Sequence, residues 1–279
     1  MIQTNLKLKI IKEAKRLGAS LVGFAPVSRW DDFNEVPKPY RPRSVWAEAK
    51  TVIVLGVPIL LPIIESTPSI NYQELYNTSN QLLDRAAYQL SVFLNDLGFA
   101  SIFLPRDGYG NLEILRRKPV AAFGHVYAGK YAGLGTVGLN NMLLTPEFGP
   151  RVRLVSVFTE AEIAGSPLQT KELCPKCGLC ARSCPVDAFT QAKEKIVAEM
   201  DKNRCTVRHQ ELRKKSCWPC GICAKVCPIG ADRLLYKRRN VKYLRESELP
   251  AGIPAKGPKP APYSEWEHLR EHGSEEDKR

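Results

Sequence analysis

Hydrophobic positions change period several times along the chain, and each change marks an element. Leu6, Ile10, Ala14 and Leu17, with Ile11 beside them, recur at helical spacing, with Thr4 placed to cap the helix and Gly18 to stop it. Residues 21–27 and 51–57 are apolar runs of strand length. Leu75, Leu82, Leu83, Ala86, Leu90, Phe93, Leu94 and Leu97 share one face of a long amphipathic helix over residues 72–97, which Gly98 ends. Residues 100–104 and 152–158 read as two more strands, the second alternating imperfectly around Arg153 and Ser156. Helices and strands are mixed in this part of the chain, which predicts an α+β class.

Composition changes the picture mainly through cysteine and charge. A chain of 279 residues with 44% hydrophobic composition can bury a sizeable core. The longest apolar stretch, residues 51–64, holds Pro58 and Pro62 and is too short for a membrane span, so it reads as a strand with its exit. The first residues carry neither a secretory signal nor a twin arginine, so the expected location is the cytoplasm and no membrane partner is expected. All nine cysteines lie between Cys174 and Cys227, a clustering that in a reducing compartment favours metal ligation over disulfides. The expected organisation is a core over residues 1–165, a cysteine-rich domain over 166–232 entered through a linker near 161–169, and a Pro-rich strap over 233–279. The net charge of +12 is conspicuous at Arg213-Lys214-Lys215 and Lys237-Arg238-Arg239. Such runs suit either a nucleic-acid surface or a solvated basic face around anionic cofactors, and no nucleic-acid motif accompanies them.

Cys174, Cys177, Cys180 and Cys184-Pro185 follow the spacing C-x2-C-x2-C-x3-C-P, which returns as Cys217, Cys220, Cys223 and Cys227-Pro228. Three successive thiolates wrap one face of a 4Fe-4S cubane, and the fourth points to the partner cluster. Two 4Fe-4S clusters are therefore predicted. One uses Cys174, Cys177, Cys180 and Cys227. The other uses Cys184, Cys220 and Cys223 with either Cys217 or Cys205, and the unbroken register of the second repeat favours Cys217. Paired zinc sites would leave the duplicated fourth cysteine and its proline unexplained.

Ahead of the cysteines, Gly133, Gly135 and Gly138 form a GxGxxG run. It lacks the preceding hydrophobic strand and following helix of a dinucleotide fingerprint, and Pro146 arrives soon after it. Its glycines suit close backbone approach to a large flat cofactor. The run Ala132-Gly-Leu-Gly-Thr-Val-Gly-Leu-Asn-Asn-Met-Leu-Leu-Thr-Pro-Glu-Phe-Gly149-Pro-Arg151-Val-Arg153-Leu, followed by the duplicated cysteines, resembles the superfamily of epoxyqueuosine reductases and corrinoid-dependent reductive dehalogenases. Residues 17–23 and 49–55 are similar as well.

The resemblance implies a nitroreductase-like, cobalamin-binding core fed by a ferredoxin-like domain, with no histidine ligand to cobalt. It places the corrinoid over Gly133, Leu134, Gly135, Val137, Gly138, Asn140 and Asn141, and it implies Arg204-Cys205 as the alternative source of the second cluster's ligand. The acidic proton donor of the epoxyqueuosine reductases is missing, since Pro119 and His125 fall in its motif. Tyr127 and His125, with Tyr131 behind them, become the candidate catalytic proton donors, Lys130 being placed to lower a tyrosine's pKa. The expected function is a cobalamin-dependent reductase supplied by a low-potential ferredoxin or flavodoxin and acting on a small molecule. The alternatives are an electron-transfer partner that reactivates a corrinoid protein, and a reductase acting on tRNA.

Overall fold

The structure is a computed structural model that describes residues 2–190 and 197–235. In chain order its first half contains α1 (Ile2–Arg16), β1 (Leu21–Pro26), α2 (Arg29–Phe33), α3 (Pro42–Val45), β2 (Thr51–Pro58), α4 (Leu61–Ile64), α5 (Ile70–Asp96) and β3 (Ser101–Leu104). Then follow α6 (Leu112–Arg117), α7 (His125–Tyr131), the short β4 (Thr136–Val137) and β5 (Leu143–Leu144), and β6 (Val152–Thr159). The cysteine-rich segment adds α8 (Leu179–Arg182), β7 (Phe189–Thr190), β8 (Glu199–Met200), α9 (Lys202–Lys214), α10 (Ile222–Lys225) and α11 (Asp232–Leu235). The Pro-rich strap lies outside the described residues beyond 235.

Four strands pair antiparallel in the order β1-β2-β6-β3. β2 is central and covered on both faces, which is why its sequence is a continuous apolar run rather than an alternation. Ile53, Leu55 and Val57 point into a core with Ile10, Ala14, Leu83, Leu90 and Leu94 of α1 and α5. Val52 and Val54 point the other way, onto Trp30, Phe123, Ala128, Tyr131 and Leu143. Each fully buried aliphatic side chain here contributes about 1.5–3 kcal/mol.

All four expected strands and both long helices are present. α1 begins at Ile2, ahead of the expected cap at Thr4, and Gly18 takes φ +97° beyond its end. α5 is capped by Ser69, whose Oγ accepts from the Tyr72 backbone N–H at 3.2 Å. Its buried stripe is narrower than expected, because Leu82 and Leu97 face outward, 52% and 41% exposed. The expected linker after β6 is not loose. Ala161 and Ile163 are buried in the core, and Ser166 exchanges two hydrogen bonds with Phe24 of β1. Among the described residues no helix is long and apolar enough to cross a membrane.

Candidate iron-sulfur site and its seam with the core

The two cysteine repeats fold alike. Gly178 and Gly221, each directly after the second cysteine of its repeat, take φ +73° and +67° and turn the chain into α8 and α10. Cys174, Cys177, Cys180 and Cys227 line one small cavity together with Leu139, Asn140 and Leu144. These are the four ligands expected for the first cluster, including the one exchanged from the second repeat. None of the nine cysteines forms a disulfide. Among the described residues no three His, Cys, Asp or Glu side chains converge tightly enough for a single metal ion, whereas a cubane spreads its ligands over separate irons.

Electrostatics fit a cluster as well. Burial, and then the charges of Cys227, Cys177 and Cys174, push the Cys180 thiol up to about 12. Burial and Cys184 push Cys205 up to about 11. Cys223 is raised well above the usual thiol range by burial and by Cys205, Cys220, Cys180 and Cys184. Thiols crowded so closely ionise only with cations among them, which is what bound iron supplies.

The repeat spacing favoured Cys217 for the second site, and the structure brings Cys205 into the same neighbourhood. Cys205, carried by α9, is the thiol whose charge acts most on Cys223 and the one that feels Cys184. Cys217 is fully buried, with its Sγ 3.6 Å from the Leu212 carbonyl at the end of α9.

The glycine-rich loop packs closely against the chain itself. A Cβ on Gly135 would lie 1.9 Å from the Leu144 carbonyl, and one on Gly133 would lie 2.1 Å from the Pro167 carbonyl. At Gly138 it would strike the Leu144 side chain at 2.8 Å. At Gly133 and Gly135 the close approach is that of the protein's own backbone, at Pro167 and at Leu144 of the β4–β5 hairpin, and at Gly138 it is the Leu144 side chain. Val137 is buried, Leu134 packs partly buried against the sheet core, and Asn140 and Asn141 tie the hairpin to the cysteine-rich segment. Asn140 Nδ2 donates to the Cys223 carbonyl at 3.3 Å and Asn141 Nδ2 to the Ala198 carbonyl at 2.9 Å.

The expected proton donors are likewise differently employed. His125 Nδ1 lies 2.9 Å from Ser156 Oγ and Nε2 lies 3.0 Å from the Pro105 carbonyl, so both ring nitrogens have protein partners. Burial lowers its pKa to about 4, outweighing the Pro105 hydrogen bond, and the ring is neutral at neutral pH. Lys130 does not lower a tyrosine's pKa, because its Nζ pairs with both oxygens of Glu35 at 2.7 and 2.8 Å. Tyr131 donates to the same carboxylate at 3.0 Å. Burial and the Glu35 charge raise both Tyr127 and Tyr131.

A different set of residues joins the two parts of the chain. Trp218, inside the second cysteine repeat, sets its ring edge on Tyr76 of α5 at 4.7 Å, and the Arg153 guanidinium of β6 lies 4.5 Å over the Tyr76 ring. Arg153 in turn donates to Asn80 Oδ1 at 2.9 Å and Asp107 Oδ1 at 3.0 Å. Tyr76 and Tyr109 are both raised, first by burial. The Trp218 indole N–H is buried and has no acceptor among the described residues. Around this column Tyr72 packs against Gly221, Thr67 Oγ1 donates to the Cys220 carbonyl at 2.6 Å, and the Trp218 N–H of the backbone donates to Gln73 Oε1 at 3.3 Å. The sequence did hold a signal for part of this column. Arg153 and Ser156 interrupt the alternation of β6, and each interruption turns out to serve a buried polar contact.

Residues 173–231 match the family described as a 4Fe-4S dicluster domain. The tetrachloroethene reductive dehalogenase of Desulfitobacterium hafniense is 28% identical over 233 residues, which take in 68% of this chain and 40% of that protein. The enzyme of the same name from Dehalobacter restrictus is 30% identical over 153 residues, 54% of this chain and 25% of that one. Epoxyqueuosine reductase from Streptococcus thermophilus superposes with a TM-score of 0.57 at 20% identity, over 80% of this chain and 66% of its own. A reductive dehalogenase whose structure suggests a mechanism for B12-dependent dehalogenation superposes with a TM-score of 0.61, also at 20% identity, over 82% of this chain and 33% of its own. This chain has the fold of the epoxyqueuosine reductases and reductive dehalogenases. Within that shared fold, the chain spans well under half the length of the curated dehalogenases it matches.

Proposed function

We propose that this chain is an iron-sulfur reductase in which two 4Fe-4S clusters pass low-potential electrons to a corrinoid held against the core. The observation that carries the reading is the column of Trp218, Tyr76 and Arg153, which runs from the second cysteine repeat into the core. A free-standing electron carrier has no need of an inward path from its cluster. The dehalogenase with the same fold is described as B12-dependent, which supports the corrinoid as the acceptor.

Cys174, Cys177, Cys180 and Cys227 would hold the first cluster, and Cys184, Cys205, Cys220 and Cys223 the second. Cys177 is exposed between the exposed Lys176 and the cavity, a place where an acidic donor of the ferredoxin or flavodoxin class can deliver electrons. The buried Trp218 indole N–H fits the amide-rimmed edge of a corrin, which carries carbonyl acceptors. When bound, the corrinoid supplies a cobalt centre able to reduce a small substrate. Tyr76 and Tyr109 keep their protons at neutral pH and stand nearest the column, which makes them, rather than Tyr127 or His125, the tyrosines to test as proton donors.

The test is anaerobic reconstitution of the full chain with iron, sulfide and hydroxocobalamin, followed by desalting and metal analysis. About eight irons and about one cobalt per chain are expected. Eight irons without cobalt would turn the reading to an electron-transfer partner for another protein's corrinoid, and retained binding of a tRNA stem loop at physiological salt would turn it to a tRNA substrate.

A further inference from the structure

Arg151, Lys225 and Arg233 are fully buried cations at the seam between core and cysteine-rich segment, at most 1% exposed. Two of them converge on one cluster ligand. Arg151 Nη1 donates to the Cys227 carbonyl at 3.1 Å and to the Ala224 carbonyl at 3.3 Å, and Arg233 Nε donates to the Cys227 carbonyl at 2.7 Å. The acids that accompany them bind other nitrogens of the same groups. Asp232 takes Arg151 Nε and Nη2, both at 2.6 Å, and Glu65 lies 3.8 Å from Arg233 Nη1. Both guanidiniums thus present donor nitrogens to the Cys227 end of the first cluster while their carboxylates sit on different edges.

We propose that Arg151 and Arg233 hold the cluster of Cys174, Cys177, Cys180 and Cys227 at a higher reduction potential than its partner, so that it takes the first electron. Reduction by an external one-electron donor adds one negative charge to the cluster and makes or breaks no bond to the protein. Fixed positive charge at short range in a buried site favours the more negative form, and Coulomb attraction there is little screened. Arg151 comes from the core, immediately before β6, so the potential is set by docking the cysteine-rich segment on the core and not by that segment alone. This inference rests on the two-cluster reading above.

The experiment is an EPR-monitored redox titration of the reconstituted full chain with dithionite, after iron has been counted. Wild type should show two resolved midpoints. Arg151→Gln should lower one of them and Asp232→Asn, which strips the counter-charge from Arg151, should raise that same one, while the other midpoint stays in place. A merely structural role would shift both variants in one direction. That outcome, or unmoved midpoints with full iron content, overturns the proposal. Where Arg151→Gln fails to load iron, the near-isosteric Asp232→Asn decides alone: an upward shift supports the proposal and none refutes it. Wild type without iron would instead overturn the cluster reading itself.

Discussion

At the scale of single residues, His125 of α7 is held by packing and hydrogen bonds, and this makes a pH signature. His125 has its folded-state pKa lowered from 6.5 to about 4 by burial. The unfolded chain therefore binds the extra proton first as pH falls, so the stability His125 provides is complete above about pH 6.5 and is lost as pH drops towards 4. In thermal unfolding, His125→Phe should melt below wild type at pH 7, and the gap should narrow at pH 5. A gap that stays constant across that range would show that the imidazole titrates alike in the folded and unfolded states, and the packing account of His125 would fail. The cysteines give a second contrast. Cys205→Ser should cost one cluster, leaving about four irons per chain, while Cys217→Ser keeps both clusters at some loss of stability. The opposite pattern would restore the assignment that repeat spacing favours. Spacing picked out the two cysteine repeats, which fall within the matched 4Fe-4S dicluster domain, but could not rank Cys205 against Cys217, because the ranking depends on where α9 lies relative to the repeats. The same limit explains His125, whose environment is made by Ser156 and Pro105 from distant parts of the chain.

At the scale of elements, the strands and helices were legible because each carries its own periodicity. β2 reads as a doubly covered strand from its unbroken apolar run, and α5 from its repeating Leu and Ala positions. The β4–β5 hairpin was not legible, since each strand has only two residues. Gly135 distinguishes the explanations. With the Leu144 carbonyl 1.9 Å from the position of an added Cβ, Gly135→Ala should destabilise the whole fold by about 3 kcal/mol or more. The measurement is thermal or denaturant unfolding of the cluster-loaded protein. A variant as stable as wild type that has lost only cobalt binding would return the loop to a cofactor role.

At the scale of the whole molecule, the cysteine-rich segment is docked by contacts that approach the clusters from the core: Thr67 on Cys220, Asn140 on Cys223, Arg151 on Cys227, and Tyr72 under Gly221. No local pattern reports such a seam, because its partners are separated by as many as 153 residues. Under the proposed function this seam is an inward route for electrons, with Trp218 and Tyr76 as the link. The most direct test of that claim is to load the anaerobic protein with iron, sulfide and cobalamin, reduce it by rapid mixing with a limiting amount of titanium(III) citrate, and follow the cluster and cobalt absorption separately. Reoxidation of the clusters in step with reduction of the bound cobalt, slowed in Trp218→Leu at unchanged iron and cobalt content, is the predicted result; clusters that stay reduced beside unchanged cobalt would contradict it.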